Sequence, residues 1–307
     1  MDPHINKVIT DIIQGLNEQV INILPVVGNG SVNQIFIITT DKEKLVIRLN
    51  HNRGFDEFIK EQWCINHASA KDVPGPKVIK IAELDGYSYM IQTFLEGVIG
   101  TNSEIDKLMV WEEIGKYAKL IHSIPVPGFG LDSAEIMESA TNTSNQKLKR
   151  YLTYNIAGLN SQDKLLELRV LTGEQSKKVK SLFEELLQRQ FTFGLNHGDL
   201  SLKNIIVSPE NKVSLFDWGS AEAEIVPYHD FGEILKSSLK SNSPEFKSFL
   251  NGYGLSDAEY KQIGEDVYSL MLLRAIDKLR WAIDRSPADI PAFVEKVKEI
   301  FQLKFSK

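Results

Sequence analysis

Apolar residues near the N-terminus recur every three to four positions, the spacing that places side chains on one face of a helix. This pattern predicts an amphipathic helix that ends near residues 15–17. The apolar positions of this helix are Ile5, Val8, Ile9, Ile12, Ile13 and Leu16.

The period then changes, and β-rich runs follow at residues 20–27, 33–41 and 43–50, separated by short polar turns. Runs of this kind predict three strands of an antiparallel meander. A helical pattern at residues 55–69 and a further strand-like run at residues 87–95 follow them. The N-terminal part of the chain therefore predicts a small sheet that carries one helix.

Helical patterns dominate the rest of the chain, at residues 107–124, 173–191 and 265–284. A strand-like hairpin at residues 195–222 interrupts them. Between the helices, the polar segment 138–146 contains too little apolar surface to pack alone, so we expect a loop there.

Together these patterns predict an α+β fold with two lobes. Residues 1–95 form a small antiparallel β-rich N-terminal lobe, and residues 96–307 form a larger, mainly helical C-terminal lobe. We expect a cleft where the two lobes join, a place where ligands commonly bind.

The charge balance limits the classes of partner. The chain has 35 basic and 41 acidic residues, a net charge of −6, and no basic stripe, which argues against a nucleic acid or an anionic membrane as its main partner. The single cysteine, Cys64, cannot form an internal disulfide, and no apolar run approaches the roughly 20 residues of a membrane helix. These features lead us to expect a cytoplasmic protein.

The hairpin region carries the candidate chemistry. Asp199 precedes it, Asn204 lies where its first strand begins, and Asp217 follows its second strand. A hairpin brings its ends together, so these oxygen-bearing side chains can converge on one site, and carboxylate and amide oxygens are ligands that Mg²⁺ accepts. The alternative is local turn chemistry, with Asx turns at the first two residues and a strand-end cap at the third.

These residues lie in motifs that strongly resemble those of the aminoglycoside phosphotransferase and choline kinase-like family, which is related to protein kinases. HGDLSLKN stands where protein kinases have H-R-D-x-x-x-x-N, and DWG stands in place of D-F-G. The resemblance implies a bilobal protein-kinase-like fold in which Asp199 orients or deprotonates an acceptor hydroxyl. It also implies that Asn204 and Asp217 hold a Mg²⁺ ion that bridges the phosphates of ATP or GTP. Gly198, where protein kinases carry arginine, favours a small-molecule kinase.

The same resemblance assigns nucleotide-binding residues in the N-terminal lobe. A glycine turn between the first two strands, with Gly28, Gly30 and Ser31, stands where a kinase phosphate loop would lie, although taken alone it is most simply a hairpin turn. Arg48 occupies the third-strand position of the kinase lysine, and its forked donors can bind phosphate. We expect its partner to be Glu61 on the following helix, with Glu57, one turn earlier, as the alternative.

Further positions follow from the resemblance. The segment YMIQTFLEG resembles the hinge between the lobes, where backbone groups of Thr93 and Leu95 would contact a purine ring. His197 and Asp230 would support the catalytic loop, with helix N-capping as the alternative for Asp230. We interpret His122 as a structural histidine at a helix end.

The acceptor site is the least specified. Glu222 follows the DWG motif closely, and a late helical face combines Asp277 and Trp281, so these residues could bind the ammonium groups and rings of an aminoglycoside or a similar amine-bearing acceptor. The alternative is that Asp277 pairs with Arg274 or Arg280 and that Trp281 belongs to the core.

Other classes remain alternatives. Similar small-molecule kinases act on choline, homoserine, methylthioribose, sugars or macrolides. A non-catalytic nucleotide-binding regulator would not need the intact set of Asp199, Asn204 and Asp217. A protein kinase would need the H-R-D arginine, an A-P-E segment and an activation loop, which this sequence lacks.

Overall fold

The structure is a computed structural model that describes residues 2–26, 33–51, 54–126, 128–130, 144–237 and 239–305. The chain divides into two compact units. The first contains the described residues of Met1–Asp106 and Ser201–Ala221, and the second contains those of Lys107–Leu131, Glu138–Leu200 and Glu222–Lys307. The hairpin segment thus groups with the N-terminal unit, while the predicted lobe boundary between residues 95 and 96 stays a prediction.

The helices and strands are numbered here in chain order. The helices described are α1 (Pro3–Gln14), α2 (Gly54–Ser69), α3 (Lys107–His122), α4 (Ser144–Gly158), α5 (Lys164–Glu167), α6 (Gly173–Leu187), α7 (Tyr228–Ser237), α8 (Pro244–Tyr253), α9 (Asp257–Arg285) and α10 (Ile290–Phe305). The strands described are β1 (Val20–Val26), β2 (Gln34–Thr40), β3 (Lys44–Asn50), β4 (Val78–Leu84), β5 (Tyr87–Thr93), β6 (Val98–Ile99), β7 (Phe193–Asn196), β8 (Ile205–Val207), β9 (Val213–Leu215) and β10 (Glu222–Ile225).

The first unit is built on an antiparallel five-stranded sheet of order β1-β2-β3-β5-β4. Helix α1 begins with Asp2 as its N-cap and Pro3 at its first position, both favourable at a helix start. Its apolar stripe, which includes Ile9 and Ile13, is buried in one core with inward-facing residues of β2, β3 and β5. Helix α2 packs against β4 and β5.

A second, three-stranded sheet of order β6-β8-β9 completes this unit. The β8–β9 hairpin pairs Ile205 with Leu215, and the amide of Leu215 donates to the carbonyl of Pro74, 2.8 Å away. The predicted hairpin is therefore present and is bonded to the chain that leads into β4.

The second unit is mainly helical and contains the two-stranded ribbon of β7 and β10. Helix α3 packs mainly against α8, and α9 packs against α7 and α10. Aromatic residues fill the interior, with Phe231 in edge contact with Phe249 at a centroid separation of 5.2 Å. The α+β class predicted from the sequence is confirmed.

Two predicted boundaries differ from the structure. Helix α9 begins at Asp257, eight residues before the apolar pattern indicated, because Ser256 and Glu259 form a capping box that starts the helix in a polar stretch. The predicted loop at residues 138–146 is wrong at its end, since α4 is already helical at Ser144. The rest of that loop lies outside the described residues.

Cys64 is buried in α2, and its burial raises the pKa of the thiol to about 12, as expected for an unreactive structural cysteine. A search of the described ranges found no helix both long and apolar enough to cross a bilayer.

Candidate active site

The HGD loop, residues 197–199 in the second unit, is held by the carboxylate of Asp230. The backbone N–H of His197 donates to Asp230 Oδ2 at 3.0 Å, and that of Gly198 donates to Asp230 Oδ1 at 2.7 Å. Gly198 has a φ of +77°, a conformation that glycine adopts without strain. This loop conformation favours glycine at position 198, and Asp199 directly follows the two residues whose N–H groups are bonded to Asp230.

Asp230 is itself held by residues that are distant in sequence. His122 Nε2 lies 3.0 Å from Asp230 Oδ2, and His122 Nδ1 lies 3.0 Å from the Tyr253 hydroxyl. Burial alone would raise the pKa of Asp230, but the hydrogen bond and charge of His122 outweigh it and lower this pKa to about 2. A carboxylate that stays ionised accepts all of these hydrogen bonds at neutral pH.

His122 was interpreted from the sequence as a structural histidine at a helix end, and it occupies the last position of α3. Its link to Asp230 was not predicted. No local pattern relates two residues that are 108 positions apart.

The first unit places Asn204 and Asp217 at the two ends of the β8–β9 hairpin. Asn204 is buried, and its carbonyl accepts a hydrogen bond from the N–H of Phe216 at 3.1 Å, next to Asp217. Asp217 has a φ of +61°, which is uncommon for a residue other than glycine and carries a strain cost. The hairpin therefore brings the two residues to adjacent positions at its base.

Arg48 lies in the same unit and forms a buried ion pair with Glu61. Its Nη2 donates to Glu61 Oε1 at 3.1 Å, and its Nη1 contacts Oε2. Glu57 is instead exposed and pairs with Lys60 at 3.5 Å. Of the two glutamates that the sequence left open, the structure pairs Glu61 with Arg48.

This ion pair lies beside the hairpin. A Cβ atom added at Gly219 would lie 3.5 Å from Glu61 Oε1 and 3.6 Å from Asp217 Oδ1, so both carboxylates border the same glycine. Burial raises the pKa of Glu61, Arg48 lowers it, and the negative charge of Asp217 raises it further. Arg48, Glu61, Asn204 and Asp217 thus belong to one cluster within the first unit.

The donor set at the hairpin base fits a magnesium ion. One amide and one carboxylate side chain are hard oxygen donors, and Mg²⁺ is commonly bound by one or two carboxylates together with phosphates and water. Within the described parts of the chain, no group of three or more His, Cys, Asp or Glu side chains is placed to form a metal site by itself.

The two predicted hinge residues, Thr93 and Leu95, differ in whether their backbone N–H groups already form a hydrogen bond. The backbone N–H of Thr93 donates to the carbonyl of Lys77 at 2.9 Å and is therefore occupied. For the N–H of Leu95, no hydrogen bond is formed among the residues that the structure describes. Gly28, Gly30 and Ser31 lie outside the described residues.

The three acceptor candidates lie in the second unit but in different environments. Glu222, on β10, is partly exposed and lies 4.0 Å from Arg274. Asp277 accepts a hydrogen bond from Asn155 at 3.4 Å, and Trp281 is 48% exposed. The part of the alternative that places Trp281 in the core is therefore wrong.

Sequence reasoning missed the pairing of Glu224 with Arg274, a buried ion pair that joins β10 to α9. The sequence did contain a signal for this pair. Side chains alternate between the two faces of a strand, so Glu222 and Glu224 lie on the same face, and an arginine that meets one is close to the other.

A β-rich unit with a buried Arg–Glu pair and a helical unit with an anchored HGD loop define a protein-kinase-like phosphotransferase. The comparison with protein families agrees, because the model described as "Phosphotransferase enzyme family" (APH) matches residues 23–264. The chain belongs to this family, and it is a small-molecule phosphotransferase.

Solved structures share the fold. The chain is similar to the aminoglycoside phosphotransferase APH(2'')-IIia in complex with GDP and kanamycin, with a TM-score of 0.70, 17% identity, and coverage of 99% of this chain and 100% of that one. It is also similar to a thermostable mutant of APH(4)-Ia in complex with ADP and hygromycin B, with a TM-score of 0.65, 16% identity, and coverage of 95% and 97%. These likenesses confirm the protein-kinase-like fold.

Among curated proteins, the chain is similar to one from Staphylococcus aureus (strain NCTC 8325 / PS 47) that is named a probable ketoamine kinase. The two are 24% identical over 234 residues, which are 68% of this chain and 77% of that protein.

Proposed function

We propose that this protein transfers the γ-phosphate of ATP or GTP to a hydroxyl group of an amine-bearing small molecule. The observation that carries the proposal is the pair of hydrogen bonds from His197 and Gly198 to Asp230, which holds the backbone immediately before Asp199. A carboxylate on a fixed loop can align a hydroxyl for in-line attack, and positioning of this kind supplies much of the catalysis in phosphoryl transfer.

Asp199 is the residue that we assign to the reaction itself. It accepts a hydrogen bond from the acceptor hydroxyl and takes its proton as the oxygen bonds to the γ-phosphorus. The bond between the γ-phosphorus and the bridging oxygen breaks, and the nucleoside diphosphate leaves. His197 and Asp230 are positioning residues, because they fix the loop and do not touch the reacting atoms.

The nucleotide is assigned to the first unit. Arg48, held by Glu61, presents its charge to the phosphates, and the N–H of Leu95, which has no hydrogen bond among the described residues, donates to the purine ring. We assign only a carbonyl contact to Thr93, because its N–H is already bonded within the sheet. Gly28, Gly30 and Ser31 remain our candidates for the phosphate loop.

Asn204 and Asp217 are the residues that would hold Mg²⁺. When bound, this ion neutralises the charge that develops on the phosphate oxygens. Asp217 contributes the negative charge of the site, and Asn204 contributes an amide oxygen from a buried, hydrogen-bonded position.

For the acceptor, we propose an aminoglycoside, a ketoamine or another hydroxylated amine. The complexes with kanamycin and hygromycin B and the relative named a ketoamine kinase support this range of compounds. Glu222 is our first contact for an ammonium group, because β10 places it opposite Asn196, one residue before the HGD motif. Asp277 and Trp281 on α9 remain weaker candidates.

The direct test measures ADP or GDP release with Mg-ATP or Mg-GTP and a panel of acceptors: kanamycin, a sugar ketoamine, choline, homoserine, methylthioribose and a neutral sugar. We expect release that depends on an amine-bearing acceptor and an acceptor affinity that falls as salt rises, because exposed charge pairs are screened. Transfer only to the neutral sugar, independent of salt, would overturn the acceptor class. No acceptor-dependent release with an extended panel would overturn the function.

A further inference from the structure

A cavity of about 340 Å³ lies within the second unit, bounded by strand β10 and helices α4, α7, α9 and α10. Its volume falls at the lower end of the roughly 300–1,000 Å³ that is typical of small-molecule sites. Much of its wall is apolar, formed among others by Phe129, Leu148, Ile225, Leu270, Met271 and Phe293.

Two elements connect this cavity to the HGD loop. Strand β10 contributes Glu224 to the wall and pairs it with Gly194 on β7, five residues before Asp199. Helix α7 contributes His229, and the next residue, Asp230, anchors the loop. Because the N–H of Gly198 donates to Asp230 Oδ1 at 2.7 Å, Asp199 directly follows a residue that is bonded to the neighbour of His229 in the wall.

The charged groups of the wall do not balance. Four cationic side chains face two carboxylates, and the carboxylates are already engaged. Glu224 pairs with Arg274, and Glu233 pairs with Lys236. The remaining cations of the wall are Lys278 and Lys296.

Lys278 is the cation of the wall that is accessible to a ligand, because its side chain is exposed. Its ammonium group forms no hydrogen bond or ion pair within the part of the chain that the structure describes, whereas Lys296 bonds to Glu299 at 2.8 Å. Loss of hydration, followed by the positive charge of Lys236, lowers the pKa of Lys278, while the carboxylates of Glu233 and Glu222 act on it in the opposite direction. His229 adds no positive charge, because burial and Arg274 keep its pKa well below the usual value.

We propose that this cavity binds the part of the acceptor that is not phosphorylated, and that it selects acceptors that combine an apolar group with a carboxylate. Lys278 binds the carboxylate, and the apolar wall covers the rest. A polycation would meet an excess of positive charge here. The proposal rests on the proposed function, since it concerns the acceptor of the same reaction.

The test uses acceptors that differ in a single group. The ketoamine of phenylalanine and the ketoamine of phenethylamine share the sugar, the amine and the ring, and they differ by the carboxylate. We expect the acid to have a KM about tenfold lower, the effect of one hydrogen bond to a charged group. Kanamycin serves as the polycationic comparison and should be the poorest of the three.

Two variants test whether the KM difference between the two ketoamines arises in the cavity. Lys278→Met should raise the KM of the phenylalanine compound about tenfold and leave that of the phenethylamine compound unchanged. Ala292→Trp, which adds bulk to the wall, should raise both KM values without changing nucleotide affinity. The control for Lys278→Met is Lys298→Met on helix α10, because Lys298 pairs with Glu295 at 3.3 Å and does not line the cavity.

Equal KM values for the two ketoamines, or a Lys278→Met variant that affects both alike, would overturn the cavity proposal while leaving the kinase activity established. If neither compound is phosphorylated, calorimetric titration of the phenylalanine compound separates the two questions. Binding that Lys278→Met weakens would then support the cavity without the proposed function, and no binding would overturn the cavity as well.

Discussion

Asp230 shows how much of the site depends on one side chain. Its two oxygens accept hydrogen bonds from the N–H groups of His197 and Gly198, and one of them also contacts His122. Its own N–H donates to the side-chain oxygen of Asn196 at 3.3 Å. Burial would raise the pKa of this carboxyl, but the hydrogen bond and the charge of His122 outweigh it and lower the pKa.

We expect Asp230→Asn to destabilise the protein and to change its acid denaturation. The pKa of Asp230 is lowered from 3.8 to about 2, so this group stabilises the fold at neutral pH, and the stabilisation is lost as pH falls from about 4 to about 2. The contribution of Asp230 to the free energy of unfolding is therefore about 2 kcal/mol at pH 7. Urea titrations between pH 2 and 7 measure it.

The control for that experiment is Asp284→Asn, because Asp284 is exposed and only 3.6 Å from an equally exposed Lys164. It should change the stability by less than about 0.5 kcal/mol. If Asp230→Asn kept the pH dependence of the wild type, the ionised state of Asp230 would not stabilise the fold.

Asp199 carries the prediction on catalysis. Asp199→Asn keeps the size of the side chain but removes the charge that aligns the hydroxyl and accepts its proton. We expect an unchanged melting temperature, nucleotide affinity within about twofold, and a kcat reduced about 10²–10⁴-fold. Calorimetry and the ADP-release assay measure these quantities, and a kcat near that of the wild type would remove Asp199 from the reaction.

At the scale of elements, Arg280 joins helix α9 to the chain around α4 and α5. Its guanidinium donates to Asp163 at 2.8 Å and to the carbonyl of Asn155 at 3.0 Å. A Cβ atom at Gly158 would lie 2.5 Å from the guanidinium carbon, so any other residue there would displace the guanidinium from this position. Three segments are therefore fixed by one buried cation.

We expect Arg280→Met to lower the free energy of unfolding by about 3–5 kcal/mol, because it leaves the buried Asp163 carboxylate without its partner. Arg285→Met, at the exposed end of the same helix, is the matched control and should have little effect. The double variant Arg280→Met/Asp163→Asn should recover part of the loss. Chemical denaturation measures all three, and equal effects of the two arginine variants would show that the ion pair does not matter.

At the scale of the whole molecule, the two units hold different parts of the proposed chemistry. Arg48, Glu61, Asn204 and Asp217 belong to the first unit, and Asp199, His197 and Asp230 belong to the second. The chain between Leu200 and Ser201 passes from one unit to the other, so a motif that is continuous in sequence is divided between two cores.

At this scale we predict how much Mg-ATP stabilises the folded protein. Mg-ATP at about one hundred times its Kd should stabilise the wild type by about 2.7 kcal/mol, or roughly 5–8 °C in melting temperature. Asp217→Asn should lose most of this shift, because the carboxylate that would hold the metal is absent, and EDTA should have the same effect on the wild type. Thermal melts with and without nucleotide provide the measurement, and a shift that survives in Asp217→Asn would exclude that residue from the metal site.

The sequence by itself determined the class of protein. The change from helical to two-residue periodicity gave the order of α1, the strands and the helices, because each pattern reflects which face of one element is buried. The spacing of HGD, Asn204 and Asp217 predicted a cluster of oxygen ligands, because a hairpin brings its own ends together, and the resemblance of these motifs to a phosphotransferase family implied phosphoryl transfer.

Only the tertiary structure decided the pairings between distant elements. Glu61 was the expected partner of Arg48 with Glu57 as the alternative, and the packing of α2 against the sheet decides between them by pairing Glu61 with Arg48 and leaving Glu57 exposed. The contact of His122 with Asp230 and the pair of Glu224 with Arg274 join elements far apart in the chain. Periodicity records which side of an element is buried, but the partner that it meets there depends on how separate elements pack.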